Sequence, residues 1–272
     1  MDFDFNNIQV PFRMQPGLRR IGGAALTPLD RGGSLFREKQ AVFAAGQSRH
    51  CLAGFDPGPA LDAIVAHGVE SGINADRLCE SPLELCFEED FAVLDGTTGT
   101  LPWLCVCVPS HWAPEDKLGL DFASLHRPIA DNAALLAASQ QLVALVTAGD
   151  CWERFVWTVS PSPRHDQHPR RQPRQAWPAA ADADDFARQC WLRAERQTFF
   201  PVGRGTRQSV FAIHVMLQPL AEAVRAPGNA SRLHDSLASM SQAVLDYKNL
   251  GPAREPLLRW LQVQALMANG TL

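Results

Sequence analysis

Two strand-like runs, CWLRAERQTFFPV over 190–202 and QSVFAIHVMLQPL over 208–220, flank the short turn Gly203-Arg204-Gly205. They constrain the fold more than any other feature of the chain. Side chains on a strand alternate with period two, and a glycine-bounded turn between two such runs predicts a long antiparallel hairpin. The alternation divides each arm into faces. Leu192, Ala194, Arg196 and Thr198 share one side of the first arm, and Arg193, Glu195 and Gln197 the other. In the second arm Phe211, Ile213, Val215 and Leu217 supply bulky aliphatics for a core face, which leaves Val210, Ala212, His214 and Met216 on a mixed one. The run ERFVWTVS over 153–160 sets Arg154, Val156 and Thr158 against Phe155, Trp157 and Val159.

These faces raise chemical questions. Arg196 falls among apolar neighbours, and because arginine keeps its charge at any ordinary pH, burying it demands an anion. Glu195 or Glu153 would serve in a structural pairing, and a cofactor propionate in a functional one. Arg154 is a second candidate for a polar group in a pocket. His214 reads either as a pocket residue or as a hydrogen-bonded core histidine.

The remainder predicts an α+β chain. A helix is expected over Leu35 to Ala45 with Ser34 as its cap, and another over 58–72. From Leu83 the segments ELCFEEDFAVLD and TGTLPWLCVCVPS read as strands, with Asp95, Gly96 and Gly99 supplying turn chemistry between them. They begin an antiparallel meander. One helix is expected over 131–148 after the loop SLHRP. Residues 160–178 hold five prolines, four arginines and two histidines, so neither helix nor strand is expected. That stretch reads as a solvated, partly mobile insertion, or as a basic flap over an acidic cofactor group or partner. Helices over Ala230 to Asp246 and Ala253 to Met267, with Gly251 as the stop between them, close the chain.

With 46% hydrophobic and 20% charged residues in 272, the composition is that of a packed globular protein. A net charge of -4 argues against a general nucleic-acid binder. No apolar run approaches the ~18 residues of a membrane span, and the acidic start MDFDFNN lacks the pattern of a secretory signal, so a cytoplasmic protein is expected. The seven cysteines contain no CxxC pair, which signals neither a disulfide framework nor a zinc site; Cys105 and Cys107 read as buried thiols sharing a face. His126, in the Pro-terminated segment SLHRP, can aim an imidazole at a cofactor held between helix and sheet. A heme iron takes one neutral imidazole on its proximal side. His214 and then His111, beside Trp112, are the lesser candidates for such a role.

Four segments together resemble the heme-dependent oxidative N-demethylase family: VPFRMQPGLRRI, VPSHWAPEDKLGLDFASLHRPI, WLRAERQTFFPV with SVFAIHVMLQPL, and YKNLGPAREPLLRWL. They run in family order and span most of the chain. The resemblance implies one domain over 1–272, with a PAS-like antiparallel sheet at about 83–220 and C-terminal helices at about 230–267 binding heme b. It implies a monooxygenase subunit that uses O2 to convert a small secondary amine such as dimethylamine to a primary amine and formaldehyde. FMN, a 2Fe-2S cluster and NADPH are expected on a separate reductase, with a folate-binding subunit as a further partner. His126 matches the family's histidine and is the expected iron ligand. Arg154 and Trp157 match a strand motif, and Arg193, Glu195, Arg196 and Gln197 match the family's RxERQT run. Arg196, Glu195 and Arg154 are the expected catalytic residues, with His214, Arg193 and Trp157 around the cofactor. Val156, His214 and Met216 stand where the family has an asparagine, an arginine and a tyrosine. A non-catalytic heme or gas-binding protein is the alternative those departures leave open.

Overall fold

The computed structural model describes residues 3–268. Seven strands form one sheet: β1 (Arg19–Ile21), β2 (Arg49–Cys51), β3 (Glu89–Asp95), β4 (Trp103–Cys105), β5 (Cys151–Ser160), β6 (Trp191–Pro201) and β7 (Gln208–Pro219), in the order β1-β5-β6-β7-β3-β4-β2. Every pairing is antiparallel. The predicted long hairpin is its centre, paired without interruption from Trp191↔Pro219 to Pro201↔Ser209. β3 and β4 form the second hairpin, with Phe91 opposite Cys105. At its turn the Asp95 carboxylate accepts from the backbone of Thr97 and Thr98, and Gly99 takes φ +72°.

Eleven α-helices surround the sheet among the described residues: α1 (Ser34–Ala44), α2 (Gly58–Glu70), α3 (Ala75–Glu80), α4 (Phe122–His126), α5 (Ala133–Ala137), α6 (Ser139–Val146), α7 (Ala183–Arg188), α8 (Leu220–Ala223), α9 (Asn229–Ala238), α10 (Gln242–Tyr247) and α11 (Gly251–Ala268). None is long and apolar enough to cross a membrane. Several boundaries differ from expectation for local reasons. The N-cap of α1 is Gly33, and Ser34 is its first helical residue. The helix expected over 131–148 is broken at Ala138 into α5 and α6, and His126 ends the short helix α4 rather than sitting in a loop. The helix expected over 230–246 is interrupted before Ser241, which caps α10 by accepting from the Val244 N–H. Gly251 is not the stop. Asn249 adopts the left-handed conformation at φ +56°, a role that asparagine tolerates, and Gly251 begins α11.

Paired residues point to the same side, so the register assigns both faces. The back face carries Trp157, Val159, Leu192 and Ala194 against α7, α9 and α11, through Phe186, Leu233, Leu237, Leu257 and Trp260. It also carries Phe91, Val93, Phe200 and Val210 against Ala60 and Ile64 of α2. The front face holds Ala92, Leu104 and Phe199 under Val143 and Val146 of α6, and Ile213 and Val215 beneath Leu35 and Val42 of α1. Both faces are thus packed, except where Arg154, Val156, Thr158, Glu195 and Gln197 form a half-exposed strip on the front.

Residues 160–178 contain no helix or strand, as expected, but their first half is not a solvated insertion. Ser162, Asp166, Gln167 and His168 are buried. Asp166 binds Arg171 at 3.0 Å and its N–H donates to Glu38 of α1 at 2.7 Å. Cys105 and Cys107 are buried, and burial pushes both thiols up, which keeps them protonated.

Candidate functional site

The half-exposed strip on the front face is where charge concentrates. Arg154 is opposite Gln197, and Val156 opposite Glu195. Glu195 is held from both sides: it accepts from the Ser110 hydroxyl, and Gln197 Nε2 donates to its other oxygen at 2.7 Å. Ser110 in turn accepts from Arg193 Nε at 2.8 Å. Arg193 is 2% exposed, and its remaining donors reach the carbonyls of Val108, Arg164 and His165 at 2.9–3.3 Å. A buried guanidinium satisfied by fixed carbonyls is a structural pin, and here it also orients Ser110 toward Glu195.

Arg154 is different. It makes no ion pair or hydrogen bond among the described residues, its Nε is buried without an acceptor, and burial lowers its pKa. Its side chain is largely enclosed by protein yet keeps some accessible surface. Trp152, one pleat away on the same face of β5, also has a buried Nε1–H without an acceptor.

The wall beside Arg154 is α4. Its N-cap, Asp121, accepts from the Ser124 N–H at 2.7 Å, and Phe122 and Leu125, like Trp152 and Phe211, pack against the front-face cluster that includes Phe199. His126 therefore faces the front of the sheet. Its ring stacks on Phe122 with 4.0 Å between centroids, and its Nδ1 lies 2.7 Å from the Phe122 carbonyl. A carbonyl only accepts, so Nδ1 carries the proton and the Nε2 lone pair is left free. Burial lowers the His126 pKa against the opposing pull of that carbonyl, and Arg154 and Lys117 lower it further. A neutral imidazole with its distal nitrogen fixed by a second group is the arrangement that metal-ligating histidines use.

Two residues of the segment after α9 complete the surroundings. Tyr247, about half exposed, has its phenol pushed up by partial burial and by Glu195, against Arg154. The Lys248 ammonium donates to the Trp157 carbonyl at 2.8 Å and lies 5.6 Å from the Phe12 ring centroid. Its pKa is lowered to about 8 by burial, with Glu195 opposing and Arg154 adding to the shift. At the other end His111, in the left-handed conformation at φ +60°, has its pKa lowered to about 4 by burial and by Arg174 and Arg193. A separate pocket of about 260 Å³ opens there, lined by His111, Arg164, Gln172 and Arg174.

The structure brings Arg154, Glu195, Arg193 and His126 together and sets the other expected site residues on the opposite face. Arg196 is on the back, where it binds Glu89 at 3.0 Å and the Ala25 carbonyl at 2.6 Å. Its carboxylate is thus neither Glu195 nor Glu153, which pairs with Arg19. His214, opposite Arg196, binds Glu88 at 2.8 Å and lies 3.5 Å from Glu89. Trp157 is a back-face core residue, 5% exposed, edge-on to Phe12. The sheet separates His214 from His126, and of the three departures from the family only Val156 borders the cleft. Ser110, Trp152, Tyr247 and Lys248 were not expected at the site. Ser110 sits at the start of the same segment that holds His126, and Tyr247 and Lys248 in YKNLG, to which no role was assigned.

The chain matches a family model described as "Haem-dependent oxidative N-demethylase, alpha subunit-like" over residues 72–258, about two thirds of its length. The matched region holds β3–β7, α4 and α10, and so every residue of the front-face cleft.

Proposed function

Because the chain belongs to the haem-dependent oxidative N-demethylase alpha-subunit-like family, we propose that the front-face cleft holds heme b and oxidises a secondary amine. The observation that carries this reading is His126, with Nδ1–H tied to the Phe122 carbonyl, Nε2 free, and the charge of a half-buried Arg154 nearby whose Nε has no acceptor. His126 would bind the iron through Nε2. The apolar wall of Phe122, Leu125 and Trp152 suits a macrocycle, and Arg154 suits an anionic group in the same cleft. These residues fit the group.

When bound, heme supplies the redox chemistry that reduces dioxygen with electrons from outside the chain. The balance is one secondary amine CH3–NH–R, one O2, two electrons and two protons, giving a primary amine, formaldehyde and water. Glu195, fixed by Ser110 and Gln197, holds the substrate ammonium by charge-assisted hydrogen bonds. In this reading Lys248, whose pKa burial lowers, exchanges a proton with groups around Glu195. FMN, a 2Fe-2S cluster and NADPH belong to a separate reductase in this reading, and a folate-binding subunit to the capture of formaldehyde.

The first test is the absorption spectrum of protein from iron-replete cells, oxidised and dithionite-reduced, with and without CO. About one heme per chain and a histidine-type CO complex are expected, and His126→Ala should lose the heme. Colourless protein that hemin cannot reconstitute would overturn the proposal. A second assay follows formaldehyde release from dimethylamine with a chemical reductant and O2. Heme that binds CO without any amine-dependent turnover would favour the non-catalytic gas-binding reading.

A further inference from the structure

Arg154 and Glu195 lie diagonally on adjacent strands, at a spacing of roughly 7–8 Å that long side chains bridge with ease. They do not pair. Glu195 is held by Ser110 and Gln197, so Arg154 feels its charge but makes no hydrogen bond or close ion pair with it. The other cations nearby are satisfied by protein carbonyls, Arg193 by three and Lys248 by one. Arg154 is therefore a cation of the strip without a hydrogen-bonded partner among the described residues, and the unpartnered Trp152 Nε1–H on the same face is a second donor without an acceptor. An unpaired charge in such a place costs free energy, so its retention points to a ligand that supplies the missing acceptor.

We propose that the cleft is built for a secondary amine that also carries a carboxylate, an N-methylated amino acid, with Arg154 receiving the carboxylate and Glu195 the ammonium. This rests on the reading of the cleft as the heme and amine site. Each Glu195 oxygen accepts one protein hydrogen bond in the structure and retains a lone pair for an ammonium. A guanidinium offers a planar fork that matches a carboxylate. Val156, directly opposite Glu195, gives an apolar surface for the N-methyl group where an amide would have been polar. Dimethylamine has no group for Arg154 and would leave it unpaired. A heme propionate is the other carboxylate that Arg154 could meet, and the two sources are separable.

The test is calorimetric titration of the heme-loaded protein with N-methylglycine and with dimethylamine, alongside heme content and thermal melting of Arg154→Gln and Arg154→Lys. N-methylglycine should bind at least tenfold more tightly than dimethylamine. Arg154→Gln should keep its heme and its fold while losing that preference, and Arg154→Lys should restore part of it. Equal or tighter binding of dimethylamine would overturn the proposal, as would loss of heme from a folded Arg154→Gln, which would assign Arg154 to a propionate. Because calorimetry reads ligand binding with or without heme, an absence of heme in the wild type would defeat the functional reading and leave this preference measurable.

Discussion

Two arginines on one face of the sheet, Arg193 buried and Arg154 half-buried, show how the same residue type serves opposite ends. Arg193 spends its donors on Ser110 and three carbonyls, so removing it would orphan several buried acceptors at once. Arg193→Ala should cost roughly 3–5 kcal/mol in chemical denaturation, the range for breaking a satisfied buried charge. Arg154 has no such partners, so Arg154→Leu should melt no lower than wild type without ligand, and a lower melting temperature would show a structural role for it. His111 gives the pH dependence. Its folded pKa of about 4 lies below the ordinary 6.5, so between those values the unfolded chain binds the extra proton. The stability that neutral His111 contributes is complete above about pH 6.5 and is lost as pH falls through about 4. His111→Gln should flatten that part of a stability-against-pH curve, and an unchanged slope would place the titration elsewhere.

At the scale of elements, close approach decides more than conformational freedom does. Gly96 reads in the sequence as a turn residue, yet it has no positive φ. A Cβ there would sit 2.2 Å from Thr147 Oγ1 at the end of α6 and 2.8 Å from the Arg207 carbonyl. Gly96→Ala should therefore destabilise by about 1–3 kcal/mol, the usual cost of overpacking, measured by urea unfolding. Strands were legible because period two is a strong signal in long runs: the faces of β5 and β6, and hence the separation of Glu195 from Arg196, follow from alternation alone. Helix ends were less legible. The breaks at Ala138 and Ser241, and the stop at Asn249 in place of Gly251, depend on single backbone conformations that many residues can adopt. The candidate site was half legible for a related reason. Alternation grouped Arg193, Glu195 and Gln197, but which strand lies beside which, and that α4 brings His126 to Arg154, is decided by long-range packing that no local pattern records.

Across the whole molecule the sheet is a partition. Its back face is filled by apolar side chains from α2, α7, α9 and α11, and its front face by α1 and α6, so the strip of Arg154, Val156 and Glu195 is a gap in otherwise continuous packing. Such a gap leaves apolar and charged surface uncovered in the ligand-free chain, and its filling by a cofactor should add directly to folding stability. A ligand that binds only the folded state stabilises by RT ln(1 + [L]/Kd), which is about 2.7 kcal/mol at a hundredfold excess over Kd. Adding hemin to heme-free protein should raise the melting temperature, with the rise growing with the logarithm of hemin concentration once the site is saturated. His126→Ala should melt somewhat below the wild type without hemin, because it loses the Nδ1–H bond and the stack on Phe122, and should gain little with hemin, because the free Nε2 is gone. Equal stabilisation of His126→Ala and wild type would instead place heme at a site other than this gap.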